Sequence, residues 1–234
     1  MISEKTTLAE WSALMGHVPG GSSFMPRITA DTFDKFVVAL HNDLDDIVRS
    51  MESNPERHFH CDEDAITYHV QQMLKQRFYR ATQGTFSGGS VDLTVEGMHP
   101  DFVWTCEAKI FHSLPAVRQG FLQLDTRYRP ANLERAKVGM LIYIKRPRSA
   151  KLMNDWKGDM AEMGLDSLQI DECLNRPRLA FHSTHVAQYS ALPVNTRHMS
   201  ITLYQIPQDK SGIASAKHIE ARENANSAEQ SSDL

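Results

Sequence analysis

The sequence predicts an α/β fold in a single domain, and three observations carry that prediction. Apolar residues recur at the 3.6-residue spacing of an amphipathic helix between Asp31 and Met51, and again from about Asp62 to Tyr79. Beyond a Gly-, Ser- and Thr-rich segment at 84–89 the period drops to two, the alternation of a half-buried strand. Further on, VGMLIYI at 138–144 is apolar on both faces, as a buried central strand requires. A chain of 234 residues is long enough for one good hydrophobic core.

Each element follows from its residues. In the first helix Phe33, Phe36, Val37, Leu40, Leu44, Ile47 and Val48 form the apolar stripe, Asp31 and Asp34 mark its start, and Asn54-Pro55 ends it. In the second helix Ile66, Val70, Met73 and Leu74 lie in phase. Val91, Leu93 and Val95 then alternate with polar neighbours, and after a turn at Gly97 to Pro100 the segment 102–111 alternates again, which predicts an antiparallel hairpin. Pro115 opens a helix with Val117, Phe121, Leu124 and Tyr128 on one face, and Pro130 closes it. A crossover from 102–111 through that helix to 138–144 places the two strands in parallel. The order over 62–145 is α-β-β-α-β, with room for one more strand ahead of the hairpin. A helix around Leu152 to Met163 and strands at 179–186 and 199–206 follow. Residues 1–30 read as a loop-like extension, 31–206 as the domain, and 207–234 as a polar, flexible tail.

Composition narrows the function. No apolar run approaches the roughly 20 residues that span a bilayer, and MISEKTTLAEW lacks the basic and apolar sequence of a secretory signal, so a cytoplasmic protein without a membrane partner is expected. Cys61, Cys106 and Cys173 are scattered and contain no CxxC pair, which disfavours disulfides and thiolate zinc sites. A net charge of −4 leaves no global basic footprint, so any polyanion site is local. The candidate is 118–148, where Arg118, Arg127, Arg129, Arg135, Lys137, Lys145, Arg146 and Arg148 outnumber Asp125 and Glu134; ordinary surface solvation explains such a run equally well.

The hairpin carries the chemistry. Glu107 and Lys109, two apart on a strand, share one face, while Ala108 turns inward with Cys106 and Ile110. The hairpin sets Asp92 opposite or diagonal to Glu107, at a spacing of about 4.5–8 Å that lets two carboxylates share a hard cation. Lys109 beside them is placed to hold an attacking water or offset charge on phosphoryl oxygens. The plainer reading is a polar hairpin face with Lys109 as a salt-bridge partner. Glu63 lies in phase with the buried stripe of its helix, where an acid is costly unless paired or metal-bound; helix-dipole stabilisation is its structural alternative. Asp64 faces elsewhere. Gln123 and Arg127, four apart in QGFLQLDTRY, share a helix face able to meet a phosphate.

Together, an acid on a helix, then GGSVDLTV, then WTCEAKI, then QLDTRY resemble the PD-(D/E)xK nuclease superfamily over residues 60–146. The resemblance implies a restriction-endonuclease-like fold, a mixed β-sheet flanked by helices with an αβββαβ core. Asp92 matches its first motif, Glu107 and Lys109 its E-x-K motif, Gln123 its glutamine, and Glu63 its helix carboxylate. No proline precedes Asp92, a departure many members share. The implied activity is Mg2+- or Mn2+-dependent hydrolysis of phosphodiester bonds, with DNA as substrate, in restriction, phage defence, repair or recombination. Asp92, Glu107, the Ala108 carbonyl and Glu63 are the implied metal ligands; Asp92, Glu107, Lys109, Glu63 and Gln123 the catalytic set; Arg127 the substrate contact. By analogy, the protein works as a homo-oligomer or as a subunit of a larger complex.

Other patterns are weaker. HFHCDED (58–64) gathers His58, His60, Cys61, Asp62 and Asp64 without a distal ligand pair, and reads as the approach to a helix. His182, His185 and His99 read as strand and turn residues. No P-loop, GxGxxG or GxSxG occurs, which disfavours ATP-driven, dinucleotide and serine-hydrolase chemistry. Two readings compete with the nuclease: the same fold as a catalytically inactive binding or scaffold module in a nucleoprotein complex, and an unrelated α/β domain carrying the motif by chance.

Overall fold

The computed structural model describes residues 7–18, 21–84, 91–127 and 136–206, with backbone alone at 21, 22 and 127. The elements are α1 (Leu8–Met15), α2 (Gly21–Ile28), α3 (Phe33–Glu52), α4 (Glu63–Gln76), β1 (Arg80–Thr82), β2 (Leu93–Glu96), β3 (Val103–Ile110), α5 (Leu114–Arg127), β4 (Ala136–Ile144), α6 (Ser149–Ala161), β5 (Gln169–Glu172), β6 (Ala180–Val186) and β7 (Pro193–Thr202). The seven strands form one mixed sheet in the order β1-β2-β3-β4-β7-β6-β5. β2 and β3 pair antiparallel with Leu93 opposite Cys106, and β3 and β4 pair parallel with Glu107 beside Met140. From α4 to β4 the chain runs helix, three strands, helix, strand, so β1 supplies the extra strand ahead of the hairpin.

Strand alternation divides the interior into two cores, one on each sheet face. Trp104, Cys106 and Ala108 of β3 join the α3 and α4 stripes through Leu40, Leu44, Ile47, Ile66 and Val70. On the other face Met140 and Ile142 of β4 meet Phe121 and Leu124 of α5 and Trp156 and Met160 of α6. This division fixes where the polar residues of β3 lie: Thr105 and Glu107 alternate out of the α3/α4 core toward the face that α5 covers.

Several elements differ from the sequence reading, and the last strand runs Pro193–Thr202 where 199–206 was expected. The side-chain cap of α3 is Thr32, whose hydroxyl accepts from Lys35 N at 3.2 Å, rather than Asp31. The described part of 1–30 holds two helices, and α2 is docked on the domain: Met25 is buried, and Arg27 reaches Asp43 of α3 with Nε–Oδ2 at 2.6 Å and Nη2–Oδ1 at 2.9 Å. Gly-Gly and Pro26 in this segment suggest a loop, but eight residues with a docked arginine suffice for a short helix. β5, only four residues and mostly exposed, has too little apolar alternation to be read from sequence. The tail at 207–234 and Pro130 lie outside the described residues.

α4 ends unusually. Phe78 N donates to Lys75 O at 2.9 Å and Tyr79 N to Leu74 O at 3.2 Å, the paired bonds of a Schellman motif. The left-handed position between them, where glycine is the usual occupant, is Phe78 at φ 67°. A bulky residue there costs about 1–2 kcal/mol.

Asp43 is the polar hub of the α2–α3–β1 corner. It is 1% exposed, pairs with Arg27 and Arg77, and accepts the Tyr79 hydroxyl at 2.7 Å. Asp43→Ala leaves two arginines and a phenol without their partner. Urea denaturation is expected to show a loss of about 3–5 kcal/mol; wild-type stability would show that this corner does not depend on the hub.

Candidate active site

The C-terminal end of β3, the residue just before β2, the first turn of α4 and the middle of α5 meet at one place. Lys109 Nζ lies at its centre, 2.7 Å from Glu107 Oε1, 3.1 Å from Glu63 Oε1 and 3.6 Å from Asp92 Oδ2, and it also donates to the Ala108 carbonyl at 3.0 Å. The structure therefore brings together Asp92, Glu107, Lys109, Ala108 and Glu63.

Each residue is placed by an identifiable local cause. Leu93 faces Cys106, so continuing the register one pair puts Asp92 opposite Glu107. Asp92 Oδ2 accepts the Ala108 N–H at 2.8 Å, which locks the aspartate to β3 where the β2 ladder has ended. Asp62 caps α4 by accepting Ala65 N at 2.8 Å, leaving Glu63 as the first helical residue, aimed at the sheet. Glu63 Oε2 accepts Ile110 N at 2.7 Å, so its carboxylate ties α4 to β3 with one oxygen and holds Lys109 with the other. The same turn is pinned underneath: Thr67 Oγ1 donates to Glu63 O at 2.8 Å and lies 2.8 Å from the fully buried Tyr143 hydroxyl on β4. Lys145 Nζ donates to the Cys61 carbonyl just ahead of the helix. Asp64 is exposed and takes no part with its side chain.

Burial sets the electrostatics. Glu107 is 1% exposed, and burial first, then the Asp92 charge, push its carboxyl up to about 7 against the pull of Lys109. Burial also raises Asp92, opposed by the Ala108 amide and Lys109. For Lys109 burial works against the charged form, but the Glu107 hydrogen bond and the three carboxylates outweigh it and raise its pKa. The ammonium is thus held charged, while Asp92 and Glu107 both resist full ionisation.

The donor set suits a hard cation. Glu107 Oε2 is buried without a hydrogen-bond partner among the described residues, as are the hydroxyls of Thr94 and Thr105, which face each other one register pair away from Leu93 and Cys106. A buried, partnerless carboxylate oxygen is costly unless something binds it. Oxygen ligands are those that Mg2+ and Mn2+ take. Among the described residues no group of three or more His, Cys, Asp or Glu stands arranged as a cation cage. Lys109 lies among the three acids, and Glu63 has both oxygens engaged, so Asp92, Glu107 and the Ala108 carbonyl would hold an ion, with Glu63 joining only on releasing a partner.

Gly120 of α5 is a site residue that the sequence reading missed. A Cβ there would lie 2.6 Å from Lys109 Cγ, so the bare backbone leaves the channel through which the lysine stem passes. A glycine inside a helix, at a cost near 1 kcal/mol, was the available signal. Gln123 lies one turn beyond Gly120, half-exposed, with no hydrogen bond to the carboxylates among the described residues; Arg127 follows on the same helical row, with its side chain outside the described residues.

The remaining candidates have structural roles. Lys145 and Arg146 of the basic stretch bind the Cys61 and His112 carbonyls, while Arg118 pairs with Asp159 and Lys137 with Asp34. Residues 128–135, with Arg129 and Arg135, lie outside the described residues. In HFHCDED, Asp62 is the cap and His58 packs on His69 at 4.8 Å. His185 meets Asp125 at 2.8 Å, and His99 stays in the hairpin turn near Asp101.

Two predictions follow from this geometry. Gly120→Ala forces the lysine stem aside at a cost of about 1–3 kcal/mol. Acylation of Lys109 measured by mass spectrometry should then rise several-fold; an unchanged rate would mean that Gly120 does not seat the lysine. The second uses pH in metal-free buffer. Folding raises Glu107 above its unfolded value near 4.5, so the native state keeps a proton that the unfolded chain has lost, and stability falls as pH rises from about 4.5 to about 7. Glu107→Gln should flatten that part of the Tm profile; an identical slope in both proteins would contradict the buried-acid assignment. Compared with known proteins, the chain matches no family model, no curated protein and no solved structure.

Proposed function

We propose that this chain is a metal-dependent phosphodiesterase of the PD-(D/E)xK type, with a restriction-endonuclease-like core, that hydrolyses nucleic acid, DNA being the substrate the motifs favour. The observation that carries the reading is the convergence of Asp92, Glu107 and Lys109 at one strand end, with a buried carboxylate oxygen of Glu107 left without a hydrogen-bond partner among the described residues. Chance resemblance in an unrelated α/β domain would not require this convergence.

Asp92, Glu107 and the Ala108 carbonyl would hold Mg2+ or Mn2+, which would supply Lewis-acid chemistry at the phosphate. Lys109 orients the attacking water and offsets charge as it develops on the phosphoryl oxygens. The water oxygen adds to phosphorus while one P–O ester bond breaks; a phosphate monoester and a hydroxyl result. Glu63 acts through Lys109, holding the ammonium and the end of β3 in register. Gln123 and Arg127, on the α5 row that begins at Gly120, meet the substrate phosphates. Restriction, phage defence or repair suits such an activity, and a chain of this size works as a homo-oligomer or as one subunit of a larger complex. In the described residues no helix is long and apolar enough to cross a membrane.

One observation favours the alternative of an inactive scaffold in a nucleoprotein complex: Lys109 itself neutralises part of the carboxylate charge. Cleavage assays on labelled single- and double-stranded DNA and RNA, in Mg2+, Mn2+ or EDTA, separate the two. Asp92→Ala and Glu107→Ala should each abolish metal-dependent cleavage in a folded protein. Lys109→Met should keep binding in Ca2+ while turnover falls by roughly 10²-fold or more. Cleavage at the wild-type rate by a folded variant removes that residue from the mechanism, and no cleavage by the wild type under any condition leaves the scaffold reading.

A further inference from the structure

The turn that ends α4 carries a feature that the carboxylate site does not use. Phe78 holds the left-handed position of the Schellman motif and is 78% exposed, so a large aromatic ring occupies the place where glycine is least strained and faces solvent. Its main aromatic neighbour is Phe24 of α2, edge-on at 6.1 Å between ring centroids. Beside it runs a shallow groove floored by Phe24, Phe36 and Met98 and rimmed by Arg77, Arg80 and Glu96. Met98, at the tip of the β2–β3 hairpin, is 74% exposed.

The local charge is one-sided. Residues 75–80 read KQRFYR, and no Asp or Glu occurs anywhere from 65 to 91, although the whole chain is net acidic. Lys75 and Arg80 are exposed on either side of Phe78. Arg77 is partly satisfied by Asp43 and the Met73 carbonyl. Glu96 sits across from Arg80 in the β1–β2 ladder and is the one acid on the rim among the described residues. An exposed aromatic between cations is the arrangement that stacks an unpaired base and grips the flanking phosphates.

We infer that Phe78 is a stacking platform for an unpaired nucleobase of a single-stranded nucleic acid, with Lys75 and Arg80 contacting the adjoining phosphates. The inference rests on nucleic acid being the substrate of the carboxylate site and adds to it the structural class: a strand that is unpaired on one side of the cut. β1 links the two places, because Thr82 pairs with Thr94, two residues from Asp92. Counting residues along β1 and from Thr94 back to Asp92 at about 3.3 Å each puts Phe78 roughly 20 Å from Asp92.

The test is equilibrium binding by fluorescence anisotropy with the full chain in EDTA, where binding does not depend on turnover. The probes are labelled (dT)15, (rU)15 and a blunt DNA duplex of equal length. Phe78→Gly should weaken both single strands by about tenfold or more, leave the duplex unchanged, and raise Tm, since glycine relieves the left-handed backbone. Phe78→Trp should keep single-strand binding. Lys75→Ala and Arg80→Ala should weaken all three probes and reduce the salt dependence. Equal single-strand affinity of wild type and Phe78→Gly overturns the platform. A lower Tm in Phe78→Gly makes the ring a packing residue instead, and a wild-type dimer that Phe78→Gly dissociates, with unchanged oligonucleotide binding, makes it a contact between copies. Phe78-dependent binding without cleavage in Mg2+ supports the platform and counts only against catalysis.

Discussion

The site depends on the burial of one ammonium among three acids. Lys109 is held by Glu107, Glu63 and Asp92, and none of these groups is cheap to bury alone. The fold solves this by bringing the acids from two segments, Asp92 and Glu107 from the hairpin and Glu63 from the start of α4, while α5 makes room for the lysine stem at Gly120. Both Asp92 and Glu63 also accept a β3 amide, at Ala108 and Ile110, so the carboxylates complete the hydrogen bonding of the strand end while they gather charge. The cluster is therefore part of the β3 architecture as much as an addition to it.

Around this point the fold is stiff where the site needs it. Parallel pairing of β3 with β4, buried at every position but Lys137, fixes the strand carrying Glu107 and Lys109, and the two cores hold it from opposite faces. The first turn of α4 is fastened by the Asp62 cap, the Thr67–Tyr143 contact and the Lys145–Cys61 bond. By contrast, the far end of the same helix is strained and open to solvent at Phe78. One helix thus joins a well-anchored polar site to an exposed aromatic, and the strain resides away from the carboxylates.

Much of this was legible in the sequence, for physical reasons. Period and apolarity located α3, α4, β2, β3, α5 and β4, because each buries one face or both against a core, and the two-residue spacing of Glu107 and Lys109 determines a shared face regardless of tertiary detail. Asp92 followed from hairpin pairing. Glu63 was legible as a carboxylate in phase with a buried stripe, whereas its bond to the Ile110 amide was not, since that depends on how α4 meets β3. Gly120 escaped because a glycine's role is defined by what passes over it, here a lysine 11 residues earlier. Phe78 escaped because the left-handed backbone of a helix end shows itself in sequence only when glycine occupies it. The N-terminal helix α2 was hidden by Gly21 and Pro26, its docking resting on the ion pair of Arg27 with a buried aspartate. For the basic stretch, local charge count was a poor guide: several of its cations are spent on acids and carbonyls that lie far off in sequence.

The proposed function stands on Asp92 and Glu107 forming a divalent-cation site beside Lys109. The most direct measurement is an anomalous difference map from crystals soaked in Mn2+. A Mn2+ peak at Asp92 and Glu107 is expected, absent in Asp92→Ala crystals, with Lys109 Nζ moved away from Glu107. Full soaking with no peak at these residues, and Lys109 still bonded to Glu107, would contradict it.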